Sequence, residues 1–299
     1  EEFKIDVNLD GIIDKERFKE YVDHWAKLLA EPIPHFRRLA FDIEVETAGG
    51  LPDPIMADQR VTSIGLHGTD THRVFLLRRP EVPNGDIKVW DDTYKQWGYH
   101  VLCTEFDSEK EMLEAAFKVI ENYPIVLTYN GDLFDVPYLF NRAVKLGISY
   151  IPFHMIGNTN ATLNMGIHID MYGIFSNRSL KIYAFKSKYV EDKLDTVSEA
   201  LLGENKTKYE GDLNSLPLYT LAKYCYNDSR LTYQLSAYND HMVMKLLVIL
   251  ARISNMPIDD VSRLEVTNWI KSLLYFTHRR NGELIPNSSD FPQVEASTQ

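Results

Sequence analysis

Seven consecutive residues, Leu39-Ala40-Phe41-Asp42-Ile43-Glu44-Val45, constrain the fold of this chain more than any other stretch. Side chains alternate along a strand, so Phe41, Ile43 and Val45 share one face while Ala40, Asp42 and Glu44 share the other. So apolar a strand belongs at the centre of a sheet, and there two neighbouring acids need a reason to exist. By itself an Asp-x-Glu is also the ordinary pattern of a solvated strand face. Two further acids favour a shared cation instead: Asp135 at a strand-to-helix corner, and Asp228 one helical turn after Tyr224.

The chain has 299 residues, 44% of them hydrophobic and 25% charged, enough for a substantial core in one large or two ordinary domains. No run of 18 apolar residues occurs, and the amino end lacks the basic-then-apolar pattern of a secretory signal. A cytoplasmic location and no membrane association are expected. Cys103 and Cys225 lie far apart and outside any Cys-x-x-Cys pattern, which argues against a disulfide framework or a zinc site. The formal charge of −11 argues against a protein that coats nucleic acid through its overall field. Any nucleic acid must be held locally. The lysine-rich stretch from Arg178 to Lys208 could do so, or could be a solvated face.

Periodicity predicts an amphipathic helix over 15–29, capped by Asp14, and then strands at Leu39–Val45, Val61–Leu66 and Arg73–Leu77 in an antiparallel meander. Ser108 and Glu111 form a capping box for the next helix. A strand at Ile125–Tyr129 leads to a helix over 136–146, with Pro137 in its first turn and Gly147 beyond its end. A strand at Ile167–Met171, a basic irregular region and a helix at Val197–Leu202 follow. Pro217 opens a long helical stretch running toward Ile253, Pro257 breaks it, and 262–279 are again helical. The polar tail after Pro286 is expected to be disordered.

Carboxylates are the hard oxygen ligands that Mg²⁺ and Mn²⁺ prefer. Two such ions about 4 Å apart can clamp the attacking and leaving oxygens of a phosphodiester. That chemistry points to a nuclease. Other readings stay open residue by residue. Asp135 before Val-Pro is an attractive N-cap, although a polar corner with an exposed Phe after a buried strand is also where ligand sites gather. Phe134 could stack on a base. Tyr224 and Asp228 share an inward helix face, where the acid is either bonded to the tyrosine or bound to metal.

Three segments carry a family resemblance: Phe41-Asp42-Ile43-Glu44, Tyr129-Asn130-Gly131-Asp132-Leu133-Phe134-Asp135-x-Pro137-Tyr138-Leu139, and Tyr224-x-x-x-Asp228. In order and spacing they resemble the three exonuclease motifs of family B DNA polymerases, closest to archaeal members. His168-Ile169-Asp170-Met171-Tyr172, the Leu194–Gly203 helix and Ser262-Arg263-Leu264 through Ile285-Pro286-Asn287 are similar to the same family. The resemblance implies an α/β, RNase H-like exonuclease fold, a mixed sheet flanked by helices, that trims DNA 3′ ends for proofreading. It implies two Mg²⁺ or Mn²⁺ ions held by Asp42, Glu44 and Asp228, with Asp42 touching both and Asp135 acting mostly through water. Tyr224 would orient the attacking water; with an ordinary pKa near 10 it is a poor base. Asn130 and Phe134 would position the frayed nucleotides of a single-stranded 3′ end.

No palm motif follows, so the implied organisation is a remnant of a polymerase amino-terminal domain at 1–36, the exonuclease domain at 37–255, and a connection toward an absent palm at 256–299. A monomeric piece of a larger polymerase, with palm, fingers and thumb as its partners, is expected. Residues 157–166 take the place of the family's strand-separating hairpin. A catalytically silent scaffold of the same fold is expected to lose carboxylates, and none of the four is missing. A relative that trims RNA would share fold and metals and differ only in contacts to the 2′-hydroxyl.

Overall fold

A computed structural model describes residues 15–285 except 48, 158–159 and 208–212. Asp14, Lys208, the tail after Pro286 and part of the 157–166 segment therefore lie outside the described residues. The chain divides into two compact units, residues 1–35 and 36–299. In the first, α1 (Lys15–Ala30) is the amphipathic helix that the periodicity predicts. Residues 256–285 fall in the same compact unit as 36–255.

The second unit is built on a six-stranded sheet. In chain order its elements begin with β1 (Arg38–Val45), β2 (Val61–Gly68), β3 (His72–Leu77), α2 (Ile87–Trp97), β4 (Leu102–Phe106), α3 (Glu109–Ile120), β5 (Ile125–Thr128) and α4 (Asp135–Lys145). They continue with the hairpin strands β6 (Phe153–Ile156) and β7 (Asn160–Leu163), then β8 (Ile167–Asp170), α5 (Met171–Ser176), α6 (Arg178–Tyr183), α7 (Leu194–Leu202), α8 (Leu218–Ser254), α9 (Ile258–Arg263) and α10 (Val266–Arg280). The sheet order is β4-β3-β2-β1-β5-β8. The β1–β2–β3 meander is antiparallel, whereas β4, β5 and β8 each pair parallel to their neighbours. A mixed sheet covered by helices is the RNase H-like, α/β arrangement that the motifs imply.

Alternation along β1 decides what each face meets. Leu39, Phe41, Ile43 and Val45 join a core with Leu113, Ala116 and Phe117 of α3 and Val136 and Leu139 of α4. Ala40 faces the opposite core, formed with Leu127, Ile169, Val197 of α7 and Leu231 and Leu235 of α8. Burying a side chain the size of Phe41 contributes roughly 1.5–3 kcal/mol, so a one-residue slip that reversed these faces would cost several such terms at once.

The helix boundaries follow local chemistry. Ser108 caps α3 through the Glu111 amide, and α7 stops at Gly203, whose φ is 71°. The sequence pattern does not single out α2 or β4, nor the short helix α9 that precedes α10. The aromatic and β-branched composition of 87–97 weakens its helical signal, yet Asp86 caps its start and Gly98 its end. The basic region after β8 is also more regular than expected, holding the short helices α5 and α6. The long helix α8 is interrupted at Tyr238–His241, where Asn239, Asp240 and His241 have φ of 48°, 56° and 59°. Asn and Asp tolerate this left-handed backbone better than most residues, which is why the periodicity runs through a break that it does not reveal.

Candidate metal centre

The site lies where α8 crosses the sheet. Gly65 on β2 is paired with Asp42 on β1, and a Cβ at Gly65 would stand 2.6 Å from the Cys225 carbonyl oxygen and 2.8 Å from Ser229 Oγ. The helix therefore rests on bare strand backbone, and the Cys225 thiol faces the Asp42 carbonyl at 3.5 Å. One turn of this helix then carries Asp228 to the two acids of β1.

Carboxylate oxygens of Asp42, Glu44 and Asp228 all lie within 4.8 Å of one another. Asp42 and Glu44 are half-buried and Asp228 is 1% exposed. Asp135 sits beside this trio rather than in it. It is the first residue of α4 and not its N-cap, a position held by Phe134; its Oδ1 accepts the Ile43 amide at 3.2 Å, tying the corner to β1.

Crowding leaves its mark on the acids. Burial, then Asp228 and Asp135, pushes Asp42 well above the usual carboxylate range; burial and Asp228 do the same to Glu44. Burial raises Asp135 to about 7 and Asp228 to about 6. Acids so reluctant to ionise side by side need positive charge among them.

One cation is built in. Lys206 Nζ stands 2.6 Å from Asp228 Oδ2 and 5.5 Å from the centre of the Tyr224 ring. Burial works against the Lys206 charge, but Asp228 and Asp42 more than reverse this and its pKa rises. The segment before it is clamped to α8, where Asn227 donates to the Asn205 carbonyl and Arg230 pairs with Glu204, and to α7, where Asp195 Oδ1 accepts the Lys206 amide at 2.8 Å. Sequence reasoning placed Lys206 in a basic stretch but not in the site. Nothing in its spacing marks it, because a loop folded back onto α8 delivers it.

Asp228 Oδ1 is buried and, among the described residues, meets no hydrogen-bond partner. An orphaned anionic oxygen amid three converging hard donors fits a divalent cation, since a buried charge of this kind requires a partner. Tyr224, half-buried on the same helix face as Asp228, has its hydroxyl pKa raised by burial.

The corner after β5 is set by backbone demands. Asn130 has φ 66°, and a Cβ at Gly131 would fall 2.2 Å from Thr128 Oγ1. Phe134 is half-buried with its ring 5.5 Å from that of Tyr138, so it is not the exposed aromatic expected here. The exposed apolar side chain of the corner is Leu133, at 53%. The lysines of the basic stretch are largely engaged: Lys181 with Asp192, Lys193 with Glu191, and Lys188 with the Tyr238 hydroxyl.

Fold and acidic cluster together define a class, the RNase H-like exonuclease domains. The chain belongs to DNA polymerase family B, whose exonuclease domain it matches over residues 3–197. Among its relatives, DNA polymerase 1 of Sulfurisphaera ohwakuensis is 42% identical over 276 residues, covering 91% of this chain and 30% of that protein. DNA polymerase 1 of Sulfolobus acidocaldarius is 39% identical over 275 residues, with the same coverages, and that of Aeropyrum pernix is 32% identical over 284 residues, covering 93% and 29%. The chain thus spans about 30% of the length of these relatives. Among the described residues no helix is long and apolar enough to cross a membrane.

Proposed function

We propose that this chain is the 3′–5′ proofreading exonuclease portion of a DNA polymerase, hydrolysing the terminal phosphodiester of single-stranded or frayed DNA. The observation that carries the reading is the meeting of Asp42, Glu44 and Asp228 oxygens within 4.8 Å, reached from two elements far apart in sequence. Asp42, Glu44 and Asp228 are the residues that would hold one divalent ion, Mg²⁺ or Mn²⁺, with Asp42 and Asp135 serving a second. Bound there, such ions would lower the pKa of water and neutralise charge gathering on the phosphodiester. The chain's own groups supply the rest. Tyr224, with its pKa raised, keeps its proton and orients the attacking water by hydrogen bonding rather than by taking a proton. Asn130 and Phe134, with Leu133 at the exposed tip, bracket the last nucleotides beside the acids. The remaining polymerase domains are its natural partners, as the full-length relatives suggest.

The test is a time course with 3′-labelled and 5′-labelled single- and double-stranded DNA, with Mg²⁺ and with chelator. Stepwise loss of the 3′ label from the single strand, only when Mg²⁺ is present, is expected. Digestion that ignores chelator, or that starts from the 5′ end, would overturn the reading.

A further inference from the structure

Four motif residues outside the metal trio, Asp132, His168, Asp170 and Arg263, come from three distant parts of the chain and meet in one buried network. Asp170, ending β8, accepts the Asn130 amide at 2.7 Å and the Tyr172 amide at 3.0 Å on Oδ1, and the Asp132 amide at 3.1 Å on Oδ2. It acts as a clamp on the backbone of the corner. Asp132, although it shares a motif with Asp135, is not one of the clustered acids and is engaged elsewhere. Arg263 of α9 donates to it through Nε at 2.8 Å and Nη2 at 3.2 Å. The same Nη2 donates to the Ala161 carbonyl of β7 at 2.8 Å, and the Ala161 amide donates back to Asp132 Oδ1 at 3.3 Å. His168 fills the remaining side, its Nδ1 3.2 Å from Arg263 Nη2 and its Nε2 2.8 Å from Thr128 Oγ1.

One guanidinium therefore touches the corner and the β6–β7 hairpin at once, and its bidentate grip needs the planar fork that only arginine has. Asp132 is buried, which works against its charge, yet hydrogen bonds from His168 and Arg263 bring its carboxyl down to about 2. It is a fixed anion, unlike Asp135 three residues later. From Asn130 the chain of contacts runs unbroken through Asp170 and Asp132 to α9.

We propose that Arg263 is a positioning residue for the nuclease, locking the Asn130–Phe134 corner and the β6–β7 hairpin into one unit with α9. The proposal rests on the nuclease reading for its kinetic consequence but not for its structural one. Without Arg263 the corner and the hairpin loosen together, while Asp42, Glu44 and Asp228, on β1 and α8, and Asp135, tied to β1 through the Ile43 amide, keep their places. Substrate holding then suffers more than the chemical step.

The 299-residue chain is compared with Arg263→Met, Arg263→Lys and the double variant Asp132→Asn with Arg263→Met. In the metal-free protein, amide exchange over 130–134 and 160–163 is expected to rise at least roughly tenfold in Arg263→Met, with α3 unchanged. On single-stranded DNA the KM is expected to rise roughly tenfold with kcat within about threefold, and the double variant to be no worse than Arg263→Met alone. Arg263→Lys should fall between, and it carries the test if the methionine variant does not fold. Exchange that is unchanged, or that rises equally in α3, would overturn the proposal, as would a loss confined to kcat. If the parent chain cuts no DNA with any divalent ion, the nuclease reading fails while the exchange comparison still decides the role of Arg263.

Discussion

Lys206 and Asp228 form an ion pair in which only one side of the carboxylate is used: Nζ holds Oδ2 at 2.6 Å, while Oδ1 is buried without a hydrogen-bond partner among the described residues. Four acids and one ammonium share a small volume. The protein alone is thus short of positive charge at the place where a phosphodiester would add more negative charge, which is the electrostatic reason to expect cation binding.

Removing the two acids of β1 tests this most directly. Asp42→Ala together with Glu44→Ala should cut hydrolysis of a 3′-labelled single strand by roughly a thousandfold or more, since metal-derived stabilisation is worth several kcal/mol. Circular dichroism and the melting temperature should show an intact fold, because those acids repel each other without metal. Undiminished digestion by this variant would sink the site assignment.

Tyr224→Phe should be milder. Losing a water-orienting hydroxyl is expected to slow hydrolysis about ten- to a hundredfold, less than losing a charged ligand. Single-turnover rates on one oligonucleotide would rank the variants; equal losses would mean that the tyrosine does more than orient water.

Lys206→Met removes the internal counter-charge. Breaking a pair with one buried partner, discounted for the partial exposure of the lysine, should cost about 1–3 kcal/mol of metal-free stability near pH 8. At pH 5 the loss should shrink, because Asp228 can take up a proton in its place. Chemical denaturation with chelator at both pH values measures the difference, and equal losses would contradict the assigned pairing.

The acids also set a pH dependence. Their folded pKa values are raised, from the usual 3.8 to about 7 at Asp135 and about 6 at Asp228, so the folded chain holds protons more tightly than the unfolded one. Their contribution to metal-free stability is full below about pH 4 and is lost as pH rises through about 6 to 7. Mg²⁺ should offset that loss, raising the melting temperature more at pH 8 than at pH 5. Buried His67, whose pKa is lowered by burial and by neighbouring His72, works in the opposite direction at low pH. The readout is therefore the Mg²⁺ increment at each pH rather than the raw curve.

Much of this was legible in the residues, and the gaps have physical causes. The alternation of β1 gives both its central position and the shared face of Asp42 and Glu44. The four-residue spacing of Tyr224 and Asp228 places them together because a helix has only one way to be regular. Phe134 differs from its expected exposure because its ring meets that of Tyr138 four residues on, a contact that helical spacing permits but that the turn-like sequence around it does not announce. Lys206 was invisible as a site residue for a related reason: its placement depends on Asn227 and Arg230 fixing the loop after α7. The break in α8 escapes periodicity because apolar spacing resumes on its far side.

The contact at Gly65 has one more implication. Where side chains interlock, a change on one partner can be absorbed by its neighbour, a methyl group at a time. At the crossing of β2 and α8 the strand instead abuts the Cys225 carbonyl, so a strand residue with a side chain demands that the whole helix retreat. Variation at that crossing can proceed only through coordinated substitutions, and the acidic trio beside it inherits the same narrow tolerance.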